Sequence, residues 1–374
     1  MRAVGIILAG GSNRRMEELT RKRAISAMPV AGSYRAIDFA LSNMSNSGVD
    51  KVAVIIQYNS LSLNDHLSSS KWWNFGRKRG GLYVFTPSIT PDNASWYRGT
   101  ADSLYQNIRF LKEAHEPYVV IASGEGIYKL DYNKVIEYHI QKNADVTIVC
   151  KDMPDTEDLS RFGLVTTDAN GRITAFDEKP MIATSNTISC GIYVMRRRAL
   201  IELLETCAKE DRYDLVRDYI VRYINYSNFF AYRMDGYWSS VNTLRSYYDT
   251  NMDFLKPEVS DHFFAGNEWE IYTKVEDNPS AKYNSGARVR NSLVSSGCII
   301  NGVVEDSILF KKVYIGDNCV IRNSIILNDV RIGNDTVIEN CIVESRGTIP
   351  AGKTYISNPD SIKVIVEAHD RFSL

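Results

Sequence analysis

The chain has almost no net charge: 44 Lys and Arg face 45 Asp and Glu, leaving −1. That balance removes the electrostatic argument for nucleic acid or an anionic membrane as a partner. No apolar run approaches the roughly 20 residues that span a bilayer. The run Val4–Ala9 is too short for a signal-peptide core and leads into Arg14 and Arg15, so it reads as a strand. Cysteine is sparse and scattered, at Cys150, Cys190, Cys207, Cys298, Cys319 and Cys341, with no C-x-x-C pair. This excludes a disulfide framework or zinc knuckle and predicts reduced, mostly buried thiols in a cytoplasmic protein.

What is present suits a globular protein of more than one core, since 374 residues exceed what one core usually serves. Over residues 1–250, continuous apolar runs alternate with helical spacing. Val52–Gln57, Tyr118–Ala122 and Val146–Cys150 read as strands buried on both faces, and Asn107–Glu116, Asn133–Asn143 and Arg198–Lys209 as helices. The alternation predicts an α/β domain with a mixed, mostly parallel, Rossmann-like sheet, whose ligands sit beyond the C-terminal ends of strands. Gly10, Gly124 and Lys179 fall at such ends. Residues 251–285, with Pro257 and Pro279, read as a linker.

From residue 286 to 374 the pattern changes. Asn291-Ser-Leu-Val, Asp306-Ser-Ile-Leu, Asn323-Ser-Ile-Ile and Asn340-Cys-Ile-Val recur at spacings of 15, 17 and 17, and Ile315-Gly316 returns at Ile332-Gly333. An aliphatic residue about every sixth position is the hexapeptide repeat of a left-handed parallel β-helix, in which three hexads make a coil. Acyltransferases also use such coils, with a histidine inside them as general base. The five histidines here, His66, His115, His139, His262 and His369, all lie outside the repeats, which argues against acyl transfer.

The first chemical signal follows the first strand. Gly10 and Gly11 end the run Val4–Ala9, and an arginine-bearing loop comes next. Glycines admit a phosphate close to the backbone, and exposed N–H groups and a cation hold it. A glycine pair by itself is equally the mark of a tight turn.

Longer stretches carry a resemblance. Gly32–Gly48 nearly repeats the pattern G-x-x-R-x-I-D-F-x-L-S-N-x-x-N-S-G, Trp96–Asn107 resembles W-Y-x-G-T-A-D-A-x-Y-Q-N, and Phe176–Pro180 resembles F-x-E-K-P. Together with the hexapeptide repeats, these resemble the ADP-glucose pyrophosphorylase (glucose-1-phosphate adenylyltransferase) family over nearly the whole chain. The resemblance implies a substrate cleft lined by Gly10, Gly11, Gly99, Thr100, Gly163 and Ser189. In it, Glu178 accepts from sugar hydroxyls and Lys179 holds the phosphate of glucose 1-phosphate.

The family's reaction centre is kept less well. Its magnesium carboxylates come from S-G-D-x-x-Y and W-x-D-V-G-T; here those positions are Glu125 and the uncharged Ser240. The lysine of R-A-K-P is Ile25, and the loop G-x-G-T-R has Asn13 and Arg14 where the family has glycine and threonine, though Arg15 is retained. Magnesium sites demand carboxylates at octahedral distances. Losing one carboxylate or one phosphate cation costs roughly 10²–10⁴-fold in rate.

This pattern resembles the non-catalytic, GlgD-type regulatory subunit of the two-component bacterial enzyme. The resemblance implies a poorly or non-catalytic chain that assembles with a catalytic sister subunit, in a tetramer, and modulates it in glycogen biosynthesis. No tightly bound cofactor or metal is expected in this chain, and Mg2+ is expected only in the sister subunit. Lys22, Arg23 and Arg35 match N-terminal cations with which the family binds anionic effectors, and Lys311 and Lys312, between two coils, are candidates to complete that cluster. The alternatives are an active sugar-1-phosphate nucleotidylyltransferase with an altered metal site, and a stand-alone sugar-phosphate sensor.

Overall fold

The computed structural model describes residues 2–11, 14–76, 80–88, 95–154, 158–266 and 269–367. They form two compact units that do not follow chain order: residues 1–11, 39–60 and 67–238, then residues 12–38, 61–66 and 239–374. Long-range hydrogen bonds, invisible to local periodicity, hold residues 12–38 within the second unit. Ala31 N–H donates to Asn251 Oδ1 at 3.1 Å, Tyr247 OH to the Pro29 carbonyl at 2.7 Å, and Ser295 Oγ to the Gly32 carbonyl at 2.7 Å. The stretch read as a linker is also more regular than expected. It contains the helix Pro257–Phe264, started by its proline, and the first β-helix strand, Lys282–Tyr283.

In the first unit nine strands make one mixed sheet: β1 (Ala3–Leu8), β2 (Lys51–Ile55), β3 (Gly81–Phe85), β4 (Tyr118–Ser123), β5 (Val146–Asp152), β6 (Gly163–Thr167), β7 (Ile173–Glu178), β8 (Thr187–Arg196) and β9 (Phe229–Arg233). β3, β2, β1 and β4 are parallel neighbours. The apolar runs of β1, β2 and β4 are buried on both faces, as the sequence predicts, whereas the edge strand β3 is half-exposed. The helix Arg197–Lys209 buries Leu200, Leu204 and Cys207, a stripe of helical period against the sheet core.

β8 organises the site. Its C-terminal half, Ile192–Arg196, pairs antiparallel with β4, and the register opens between Ser189 and Ile192 where it pairs with β5. Gly191 has φ +69°, a left-handed conformation that glycine adopts without penalty. The N-terminal half runs on past the end of β4, and Ile188 pairs with Leu164 of β6. The antiparallel pair β6–β7 therefore continues beyond the C-terminal ends of the parallel strands. That is how Gly163 and Glu178, paired in register, reach the rim where Ser123 ends β4.

In the second unit, three five-stranded parallel sheets stack coil on coil from Lys282 to Ile365, the architecture of the left-handed parallel β-helix. Ile300, Ile315, Ile332 and Ile349 stack as one fully buried corner, and Val304, Ile321 and Ile338 as another. Each such side chain contributes roughly 1.5–3 kcal/mol by burial, which requires a neighbouring coil. Asn291, Asp306, Asn323 and Asn340 all have positive φ. The repeat seen in the sequence is thus a stacked turn at a left-handed position, which Asn and Asp tolerate best.

Candidate functional site

The rim of the first unit gathers backbone turns from β1, β2, β4 and β8. Ala9 N–H donates to the Ile55 carbonyl and Gly124 N–H to the Leu8 carbonyl, so the turns after β1 and β4 are tied to the parallel core. A side chain at Gly10 would rest 3.4 Å from Gln57, whereas one at Gly11 would meet nothing within 4 Å. Gly11 therefore leaves open space at the end of β1. Among the described residues, Gln57 Oε1 is buried with no hydrogen-bond partner. Sequence reading placed Gln57 inside an apolar strand and missed it; its only signal was a polar residue closing that run. Beside it Tyr58 stacks on the exposed Trp96, with centroids 5.9 Å apart and planes 6° apart.

The candidate sugar residues share this rim. Glu178 is partly buried, and its Oε1 lies 3.1 Å from the exposed Lys179 Nζ. Lys179 has φ +52°, a conformation rare for a side chain with Cβ, and its N–H donates to the Phe162 carbonyl. Gly163 admits no side chain, because Cβ there would fall 2.5 Å from the Phe176 ring. Ser189 is buried and bonds Tyr193, whose phenol is pushed up chiefly by burial and also by the nearby Glu178 charge. Trp238 packs edge-on against Phe162, and its buried Nε1 has no partner among the described residues. Unpaired buried donors and acceptors cost free energy unless a ligand or water satisfies them, so their presence at one rim marks a binding surface.

Gly99 and Thr100 do structural work within the same unit. A Cβ on Gly99 would lie 2.4 Å from the Tyr213 carbonyl oxygen, and Thr100 Oγ1 accepts from Leu215 N–H at 2.8 Å. Asp102, buried two residues on, accepts from Arg98 N–H and Gln106 Nε2. These contacts hold the start of the helix Thr100–Gln106.

The expected reaction-centre positions divide between the units. Glu125 lies in the turn after β4, partly buried, its N–H donating to Ser123 Oγ at 3.4 Å. Ser240, in the second unit, is buried at 5% exposure and carries no charge. Ile25 is buried at 3% in the 3-10 turn Ile25–Ala27, an apolar position where the family has a cation. Arg15 is exposed on the segment Arg14–Thr20. Asn13 and the side chain of Arg14 lie outside the described residues. No group of three His, Cys, Asp or Glu side chains converges as a metal site among the described residues. The donors at the two family carboxylate positions, one carboxylate and one buried hydroxyl, do not fit the paired-carboxylate magnesium site that the resemblance implies.

Of the effector candidates, Arg23, Arg35 and Lys311 are partly buried, all in the second unit. Lys22 and Lys312 point to solvent. Among the described residues no helix is long and apolar enough to cross a membrane.

A parallel-core sheet with a glycine turn after its first strand, followed by hexapeptide coils, defines a nucleotidyl transferase with a β-helix. The nucleotidyl transferase family model matches residues 4–257, and the "GlmU-like, C-terminal hexapeptide" model matches residues 279–360. A glucose-1-phosphate adenylyltransferase from Halalkalibacterium halodurans is 43% identical over 367 residues, 97% of this chain and 95% of that protein. Those of Pseudothermotoga lettingae and Clostridium novyi are 40% and 39% identical, each over 85% of this chain and over 76% and 83% of their own lengths. The chain belongs to the glucose-1-phosphate adenylyltransferase family.

Proposed function

We propose that this chain is a regulatory, poorly or non-catalytic, GlgD-type subunit of a glucose-1-phosphate adenylyltransferase. The complex would form ADP-glucose and diphosphate from ATP and glucose 1-phosphate in glycogen biosynthesis. The observation that carries the reading is the buried, uncharged state of Ser240 and Ile25, where the family resemblance places a metal carboxylate and a phosphate cation. The rim around Glu178, Lys179, Ser189 and Gly163 supports retained sugar-phosphate recognition. A carboxylate beside an ammonium can accept from hydroxyls while the ammonium takes a phosphate. In this reading the partner is a catalytic sister subunit in a hetero-tetramer, and assembly shifts the sister's conformational population.

The test is a mixing assay, with the mass of the complex measured alongside. Adding this chain to the catalytic subunit raises its turnover or changes its effector response, and the two co-migrate. Unchanged sister kinetics and no shared complex would remove the reading.

The second reading is an active nucleotidylyltransferase with an altered metal site, favoured by 43% identity over 97% of the chain to a protein bearing the enzyme's name. It predicts magnesium-dependent turnover by the lone chain, lost on Lys179→Ala. A stand-alone sensor would instead bind glucose 1-phosphate tightly and stay without a partner.

A further inference from the structure

A cavity of about 240 Å³ opens in the first unit between the helices Thr100–Gln106 and Arg197–Lys209. It shares no residue with the glycine, Glu178 and Lys179 turns of the rim. Ala101, Leu204 and Ala208 give it an apolar floor, and Arg98, Lys209 and Arg212 bring three cations to it. The one carboxylate in its wall, Asp102, is 5% exposed and already engaged, accepting Arg98 N–H at 2.8 Å and Gln106 Nε2 at 2.9 Å.

Arg98 is fixed in place yet has donors to spare. Its guanidinium lies 3.8 Å from the centroid of the Tyr213 ring, and Nη1 donates to Tyr213 OH at 2.6 Å. Nη2 stands 3.6 Å from Asp102 Oδ1, beyond hydrogen-bond reach, so Nε and Nη2 have no acceptor among the described residues. Lys209 forms no ion pair among the described residues, whereas Arg212 is paired with Glu210 at 2.7 Å. The Thr206 and Cys207 carbonyls, which end the helix Arg197–Lys209, are taken by the N–H groups of Glu210 and Arg212. The helix end therefore turns no bare acceptor on an incoming anion.

A stacked guanidinium with free N–H groups takes an oxyanion by its fork, and a nearby ammonium adds charge. The apolar floor suits a short carbon body. Pockets for drug-sized ligands run to roughly 300–1,000 Å³, so this smaller one admits a small ligand and not a nucleotide. We infer that the cavity is a binding site for a small phosphate monoester, separate from the rim. Its ligand bridges Arg98 to the helix end at Lys209. That bridge reinforces the hold of the Tyr213 carbonyl on the Ala101 and Asp102 N–H groups, which start the helix Thr100–Gln106. The inference does not depend on whether the chain catalyses, because its test contains no nucleotide.

The probe is glycerol phosphate, titrated by calorimetry into the full chain carrying Lys179→Ala, which removes the phosphate cation of the rim. Saturable binding is expected, with glycerol itself silent. Arg98→Gln combined with Lys209→Ala weakens it by about tenfold or more, while Arg23→Ala, in the second unit, leaves it unchanged. Ala208→Glu places a carboxylate in the cavity and abolishes it. Absence of saturable binding overturns the inference. So does a double variant that melts lower yet binds the probe as before, for then the stack on Tyr213 is structural only. Should the double variant or Ala208→Glu not fold, Lys209→Glu, at an exposed position, carries the same test. Unchanged affinity in that variant counts equally against the site.

Discussion

The β-helix and the rim of the sheet treat buried polar groups in opposite ways. In the coils a ladder of hydroxyls serves the next coil: Ser292 Oγ accepts from Ser307 N–H, Ser307 Oγ from Ser324 N–H and Ser324 Oγ from Cys341 N–H. Asn284 likewise donates to Asn301, and Asn301 to the Ile315 carbonyl. At the rim, Gln57 Oε1 and Trp238 Nε1 are buried without partners among the described residues. A region that satisfies itself is built for stability and assembly, whereas one that leaves donors and acceptors open is built around something not part of the chain. The conserved-looking motifs of the sequence divide along the same line once their contacts are known. Gly99 and Thr100 belong with the self-satisfied group and Glu178 with the open one.

The comparison can be broken at its strongest point by repair. If the rim is an intact binding surface lacking only charge at its reaction centre, Ser240→Asp with Glu125→Asp raises ADP-glucose synthesis by roughly 10²–10⁴-fold over the unmodified chain. A radiometric assay of the folded double mutant reads this. Ile25→Lys is best added last, because a lysine in that buried turn costs several kcal/mol of stability unless it finds a partner.

A second prediction concerns the one buried histidine of the sheet unit that bonds a strand. His139 Nδ1 lies 2.9 Å from Thr147 Oγ1, while Nε2 has no partner among the described residues. Burial, with Arg196 nearby and Asp145 opposing, lowers its pKa to about 4. The folded state thus favours the neutral ring, and the unfolded chain takes up the proton first. Stability from this group is complete above about pH 6.5 and is lost as pH falls toward 4, by on the order of 3 kcal/mol. Denaturant unfolding between those pH values shows the loss, and His139→Gln flattens it.

Within the coils, Ser324→Ala removes an acceptor from Cys341 N–H and a donor to the Arg322 carbonyl. It costs about 1–3 kcal/mol by denaturant melts, since the partners stay buried. At the rim, Gln57→Leu removes an acceptor that none of the described residues uses. Stability changes by less than about 0.5 kcal/mol, while calorimetry shows weakened glucose 1-phosphate binding. An equal stability cost for the two substitutions would erase the distinction between the regions.

Much of this was legible in the chain. Apolar runs located β1, β2, β4 and the start of β5 within a residue or two but missed the half-exposed β3, and the 17-residue repeat located the coils, because local periodicity is legible where burial enforces it. The division into units was not legible, since it depends on bonds such as Ala31 to Asn251 across 220 residues. Nor was the offset of β8, which comes from a bulge at Gly191 that a lone glycine in a strand only hints at. Arg23 read as an available cation because sequence shows charge but not its partner at Glu344.

The central claim is that the rim keeps its hold on sugar phosphate while the reaction centre has lost one metal carboxylate and one phosphate cation. Turnover of the purified lone chain with ATP, glucose 1-phosphate and Mg2+, alongside calorimetric binding of glucose 1-phosphate, tests it most directly. The account predicts saturable sugar-phosphate binding with negligible ADP-glucose formation. Brisk magnesium-dependent synthesis by the chain alone would contradict it.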